Sequence, residues 1–345
     1  MVSFPVPMMK DQGAGPEEAR AMGRKELRIV FKNFRYAGLV LAAALYALPA
    51  AAETPAANQT KVTIGTAGGG TATAALYAAK EEGYFGKRGL DVSILMGGLD
   101  SNMPSALLSH SLDIAATSAT TYFQAVDGGL DLVVILGGTA TSKRPTDEAV
   151  LAAKDSNIHE PKDFIGRKVG VPGIGAALHV LYRYWLTEHG VDFHQVQFAE
   201  TQLPRMRDLL AAKTVDAVVA VNPFIGQITD AGVGYIAVPL AGQIPSGKPV
   251  IMYVTTREWA DHHKSEVAAF RAGIIEGADF VAAQPDRTKE DINRYAKLPP
   301  QVLKVAQISD QAPHINIADL DWWFGVMKKQ GMLTRDMDVK KLLYP

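Results

Sequence analysis

Apolar and polar positions along this chain fall into repeating blocks of strand, glycine-rich turn, helix and strand. A short apolar strand, Val62 to Ile64, runs into Gly68-Gly69-Gly70, and Thr71 opens a helix whose apolar side recurs at Ala74, Ala75, Ala78 and Ala79. That three-to-four-residue spacing is one face of a helix. A second strand, Leu90 to Leu95, follows the stop at GYFGKRG. The pattern then predicts a helix over 101–110, a strand over 112–116, a helix opened by Thr117-Ser118-Ala119-Thr120 and a strand over 132–136. A polar stretch from Thr139 to Asp147, with Pro145 inside it, breaks the series. The series resumes with strand 168–171, helix 175–190, strand 196–199, helix 204–212, strand 216–220, helix 223–231 and strand 235–238. A loop with Gly and Pro, Ala241 to Pro249, leads to a β-branched strand over 250–255. The remainder reads mainly as helices, including 266–284 and 317–330. Short strands alternating with helices mark largely parallel sheets covered on both faces. The expected fold class is therefore α/β in two lobes, each a mostly parallel sheet flanked by helices. Residues 60–145 plus 250–345 would form the first lobe and 146–249 the second.

The N-terminal residues carry a different pattern. Arg24, Lys25, Arg28, Lys32 and Arg35 precede an apolar run from Tyr36 to Leu48 that ends in Ala50-Ala51-Ala52, the order of an export signal. The run is shorter than the roughly 20 residues that a membrane span needs, with an uncleaved anchor as the alternative. Residues 1–52 are accordingly set aside as a cleavable signal peptide and an upstream extension, with Met22 as an alternative start. The expected location is the periplasm. There is no cysteine, which excludes disulfides, thiol nucleophiles and thiolate metal sites. Beyond residue 52 the chain holds 28 basic and 32 acidic residues, a net charge of −4. No basic patch interleaved with aromatics occurs, so nucleic acid is not an expected partner.

Candidate chemistry sits at the starts of the helices. Glycines let backbone N–H groups converge on a guest, and a helix N-terminus adds about half a positive charge there. Gly69, Gly70 and Thr71 form one such loop, and Thr117, Ser118 and Thr120 a second. The same hydroxyls also make ordinary helix caps, each worth about 1 kcal/mol. Tyr122, Phe123, Phe224 and Tyr253 are candidate pocket aromatics or core, and Arg144, Arg205 and Arg207 candidate partners for an anionic headgroup.

The strings ALYAAKEEGYFGKRGLDVSIL, SALLSHSLDIAATSAT, EAVLAAKDSNIHEPKDFIGRKVGVPG and LPRMRDLLAAKTVDAVVAVNPF occur in an order that resembles one family. It is the sulfonate, taurine and nitrate-binding group of ABC-importer substrate-binding proteins. These share a type II periplasmic fold with binders of the thiamine-pyrimidine precursor. The resemblance spans about Lys61 to Trp323. It implies capture without chemistry: a ligand held in a cleft between lobes that two crossing segments hinge. Carried over residue by residue, it implies ligand contacts at Gly69, Gly70, Thr71, Thr117, Ser118 and Thr120 in the first lobe, at Gly175, Ala176 and Asn222 in the second, and at Tyr253. Asn222 departs from the acidic residue common at that strand end, which tells against an amine held there. The expected ligand is a small organic anion, of sulfonate or carboxylate kind. Implied partners are an inner-membrane permease and its ATPase, and the protein is expected to be a monomer without cofactor or metal.

Three other readings compete. TIGTAGGGT also resembles the opening of solute receptors for tripartite TRAP-type (TAXI-like) transporters, though the GYF…GLDV stretch does not. A periplasmic accessory of a chemoreceptor would use the same fold. GVPGIGAAL followed by Glu200 imitates the dinucleotide fingerprint of an NAD-dependent oxidoreductase, but Leu178 stands where a small residue is needed. No P-loop, G-x-S-x-G, H-E-x-x-H or S-x-x-K arrangement with partners is present, and the pyrimidine synthases related to this family use a cysteine-rich signature. The protein is expected not to be an enzyme.

Overall fold

The computed structural model describes residues 59–345, apart from Gly68, Gly69, Gly98, Lys143, Pro145, Thr146 and Leu298. The proposed signal and Gly69 therefore lie outside the described residues. The chain begins with β1 (Thr60–Thr66), a 3-10 turn at Thr71–Thr73, α1 (Ala74–Glu81), β2 (Leu90–Met96), α2 (Met103–Leu108), β3 (Ile114–Ser118), α3 (Ala119–Asp127) and β4 (Leu132–Ala140). It then crosses to β5 (Glu148–Ala153), β6 (Lys168–Val171), α4 (Ala177–Glu188), β7 (Gln197–Glu200), α5 (Met206–Ala211), β8 (Ala217–Val221), α6 (Phe224–Asp230) and β9 (Gly234–Val238). The return runs through β10 (Pro249–Thr256), α7 (Arg257–His262), α8 (Lys264–Ala283), α9 (Pro285–Ala296), α10 (Pro300–Val305) and α11 (Ile317–Lys329).

Two five-stranded sheets result, with orders β2-β1-β3-β10-β4 and β7-β6-β8-β5-β9. They share one plan. The first three strands are mutually parallel, and the fourth runs antiparallel to both of its neighbours. In each sheet that fourth strand is the one the chain enters on crossing over, β5 in one direction and β10 in the other. Thr141 ties the two crossings together. Its N–H donates to the Lys248 carbonyl at 2.8 Å and its Oγ1 to the Pro245 carbonyl at 2.6 Å, while the Gly247 N–H donates to the Thr141 carbonyl at 2.9 Å.

Sequence pattern located most of these elements within two or three residues. Strand β5 is a new element, inside what the pattern treats as connecting chain. All six of its residues are buried, so no alternation appears, and a short continuous apolar run is equally compatible with strand or helix.

The alanine face of α1 has a physical cause. Helix α8 crosses it so closely that a Cβ at Gly277 would lie 2.3 Å from the Ala75 carbonyl oxygen and 3.0 Å from the Ala79 Cβ. Small residues on both helices permit that approach. On the opposite side, α11 packs against both α3 and α4, so it touches elements belonging to each sheet. Its Trp323 is fully buried and donates from Nε1 to the Pro249 carbonyl at 2.5 Å. Among the described residues no helix is long and apolar enough to cross a membrane.

Candidate functional site

A cavity of about 190 Å³ opens where the two sheets meet. The start of the first helical turn gives Thr71 and Ala72, the end of β4 gives Thr139 and Ala140, and the end of β8 gives Val221 and Asn222. The crossing strands supply Asp147 and Glu148 at the entry to β5, and Val250 and Ile251 in β10. Leu178 of α4 and the stretch Gln307, Ser309, Asp310 complete the wall. Strand ends and helix starts converge here because α/β sheets present their loops at one edge, where ligands ordinarily bind.

The 309–313 stretch reaches the cavity through a glycine. At Gly137 of β4 a Cβ would sit 2.3 Å from the Ala312 carbonyl oxygen. The bare backbone instead donates to the Pro313 carbonyl at 3.0 Å, and the Ala312 N–H donates to the Gly138 carbonyl at 2.8 Å. The stretch thus covers the free edge of β4 and carries Asp310 to the cavity wall.

That wall is acidic. Glu148 is 9% exposed, and its Oε2 has no hydrogen-bond partner among the described residues. Burial raises its carboxyl from the ordinary 4.5 to about 7, and the charges of Asp147 and Asp310 push the same way. The guanidinium of Arg144 is held by Asp147 at 3.0 Å and Asp310 at 2.7 Å. Among the described residues, no three His, Asp or Glu side chains are grouped so as to hold a metal ion.

Of the residues singled out in the sequence, Thr71 and Asn222 line the cavity. The other described ones named as ligand contacts are placed elsewhere or have donors engaged. Thr117, Ser118 and Thr120 are buried and form a nest of hydroxyls at the start of α3. The nest is filled by a side chain of the same protein. Asp100 Oδ1 accepts from Thr117 Oγ1 at 2.7 Å, and its Oδ2 accepts from Ser118 Oγ and Thr121 Oγ1, each at 2.6 Å. The Ser118 N–H lies 3.2 Å from Oδ1. Ser118 Oγ is in turn 3.1 Å from Thr120 Oγ1 and caps α3 by accepting from the Thr121 N–H.

The starts of α1 and α4 are engaged within the protein as well. Gln311 Oε1 accepts from the Ala75 N–H at 3.1 Å. Gly70, in the positive-φ region at 148°, accepts from the Thr73 N–H. The Gly175 N–H donates to His179 Nδ1 at 2.9 Å, and the Ala176 N–H to the Gly173 carbonyl at 3.2 Å. In the dinucleotide-like loop, Glu200 Oε2 accepts from the Ile174 N–H at 3.3 Å, so the loop is closed by its own side chains. His179 is 3% exposed, and burial lowers its imidazole to about 4, with the Arg183 charge adding to the effect. Tyr253 is buried in the core against Phe270, ring centres 5.1 Å apart. Arg205 and Arg207 are exposed and away from the cavity wall.

The family model described as NMT1/THI5 like matches residues 71–288, which carry nearly all of both sheets. The chain belongs to the NMT1/THI5-like family. Among solved structures, the periplasmic aliphatic sulphonate binding protein SsuA from Escherichia coli is 19% identical and superposes with a TM-score of 0.67, covering 83% of this chain and 97% of that one. The periplasmic nitrate-binding protein NrtA from Synechocystis PCC 6803 is 17% identical with a TM-score of 0.65, covering 82% and 84%. The desulfurization enzyme DSZB is 13% identical with a TM-score of 0.61, covering 83% and 97%. At these identities the likeness is one of fold. No curated protein sequence matches the chain. The family fold accounts for the paired sheets and the cleft. The Asp147, Glu148 and Asp310 side chains were not found by sequence reasoning, and the adjacent Asp-Glu pair just before an apolar run was the signal available.

Proposed function

We propose that the protein is the solute-binding component of an importer. It is exported to the periplasm, captures a small organic molecule in the cavity between its two halves, and delivers it as a monomer to an ABC permease and its ATPase. The observation that carries this reading is the make-up of the cavity. Its wall draws on strand ends from both sheets and on both crossing strands, so a bound solute would bridge the two halves and favour the closed arrangement. The halves are proposed to be residues 60–145 with 250–345, and 146–249, hinged where Thr141 joins the crossings. Membership of the NMT1/THI5-like family and the fold shared with proteins named for sulphonate and nitrate binding support the same role. For the ligand, the sequence favours an anion of sulfonate or carboxylate kind, and the names of those neighbours support an anion, but the acidic wall of this cavity tells against one. The cavity of this chain adds a requirement, since the carboxylates of Asp147, Glu148 and Asp310 line it.

A thermal-shift screen of alkyl sulfonates, aliphatic and aromatic carboxylates, nitrate, amines and amidines tests the role. A solute at 100 times its dissociation constant stabilises by about 2.7 kcal/mol. An absence of any shift, together with no small molecule released when the purified protein is denatured, would refute it. One observation favours a second reading, an enzyme like the desulfurization enzyme of the same fold. Glu148 is a buried carboxyl with a displaced titration in a cleft, the form a general acid or base takes. Turnover of a cavity-bound compound, abolished in Glu148→Gln, would establish that reading in place of transport.

A further inference from the structure

We propose that the solute presents a nitrogen donor to Glu148, either a protonated amine or an amidine-like pair of N–H groups, on a compact apolar body. The inference rests on the solute-binding reading and replaces the anion expected from the sequence with a nitrogen-bearing ligand.

Glu148 is nine-tenths buried, stands on the cavity wall, and leaves Oε2 without a partner. A carboxylate so placed has lost its water and gained nothing in exchange, a deficit that an incoming donor removes. Arg144, which pairs with the two neighbouring acids, does not supply that donor, because it is committed to Asp147 and Asp310. Burial and those two neighbouring carboxylates hold the Glu148 proton on to about pH 7. A cationic guest would displace that proton, whereas a bare oxyanion would meet repulsion from three acids.

Three of the helix starts that could hold an oxyanion are also taken. Helix starts bind anions through free N–H groups and hydroxyls. Here the α3 nest holds the Asp100 carboxylate, the Ala75 N–H at α1 holds Gln311, and the Gly175 N–H before α4 holds His179. Asp100 stands as an internal substitute for the oxyanion that such a nest would otherwise take from solution. The rest of the cavity describes the body of the guest. Leu178, Val221, Val250 and Ile251 give it apolar walls. Its volume of about 190 Å³ equals about six water volumes.

Benzamidine and benzoate test this directly, since they match in shape and differ in the group offered to Glu148. Titration calorimetry at pH 8 on the wild-type protein is expected to detect benzamidine and not benzoate. Glu148→Gln should weaken benzamidine by tenfold or more. Wild-type affinity should also fall between pH 8 and pH 5.5, as Glu148 regains its proton beside Asp147, Asp310 and Arg144. If benzoate binds and benzamidine does not, the ligand class is wrong while the solute-binding role stands. If benzamidine binds equally well to Glu148→Gln, the assignment to Glu148 is wrong. If neither probe binds, mass spectrometry of any molecule released on denaturation decides: an amine or amidine supports the proposal and a nitrogen-free oxyanion overturns it. If neither probe binds and nothing is released, the proposal falls, and the wider thermal-shift screen decides the role. The wild-type comparison of the two probes stands without the variant, so poor folding of Glu148→Gln does not remove the test.

Discussion

Replacing Glu148 by glutamine is expected to stabilise the ligand-free protein, in a manner that depends on pH with a definite sign. The carboxyl titrates at 4.5 in ordinary surroundings and at about 7 in the fold. The folded state therefore keeps the proton to higher pH than the unfolded chain. Stability from this group is fully present below pH 4.5 and is lost as pH rises through about 7. Each pKa unit corresponds to about 1.4 kcal/mol, so the loss approaches about 3 kcal/mol at pH 8. Glutamine has the same shape and cannot ionise. The variant should match wild type near pH 4 and exceed it by up to about 3 kcal/mol at pH 8, or about 5 °C in Tm for a chain of this length. Thermal melts of both proteins at pH 4, 5.5, 7 and 8.5 measure the difference directly. Other titrating groups, His179 among them, act on both proteins and cancel. Parallel Tm curves across that range would refute the reasoning, because they would show that Glu148 pays nothing for its charge in the fold.

Asp100→Ala is expected to lower stability by about 3 kcal/mol, since charge-assisted bonds from Thr117, Ser118 and Thr121 lose their acceptor inside the protein. Urea unfolding measures this, and a change below about 0.5 kcal/mol would mean that the nest is satisfied without it. Gly137→Ala should cost about 2 kcal/mol, because the new Cβ meets rigid backbone at Ala312. Amide exchange at Ala312 should speed up with it, and unchanged protection there would refute the argument. The His179 ring should stay neutral down to about pH 4, so its C2 proton should show no NMR titration at pH 6.5. Because the unfolded histidine takes a proton below about 6.5, this group costs stability as pH falls from there towards about 4. A midpoint near 6.5 would refute its burial as the cause.

The α/β plan was legible because helices and strands announce themselves by period. The small face of α1 and the strand-turn-helix order around Thr71 and Thr117 needed nothing beyond local sequence. The site was less legible, for reasons that differ by residue. Thr71 and Asn222 sit at strand ends and helix starts, positions that topology assigns to the cleft, and both are on the cavity wall. Thr117 and Ser118 occupy such a position too, yet their partner is Asp100, reached through a loop whose path no period encodes. Glu148 was hidden because β5 has no exposed face to create alternation. Asp310 arrives from a segment more than a hundred and fifty positions later, guided by the absence of a side chain at Gly137. Charge balance within a cavity depends on such distant arrivals, and a linear sequence does not record them.

The exchange of fourth strands between the sheets also fixes an order of assembly. Every strand of the second sheet lies within residues 148–238, whereas the first needs 60–140 together with 249–256. As the chain emerges from synthesis or from a translocation channel, the later half can complete its hydrogen bonding while the earlier half still lacks a strand. Strand β4 pairs with β10 alone among the strands of its sheet, so it waits across more than a hundred residues for its partner. Long-range pairings of this kind are slow to form. The half that leaves first therefore closes last, and β4 keeps both edges open until Thr256 has followed it.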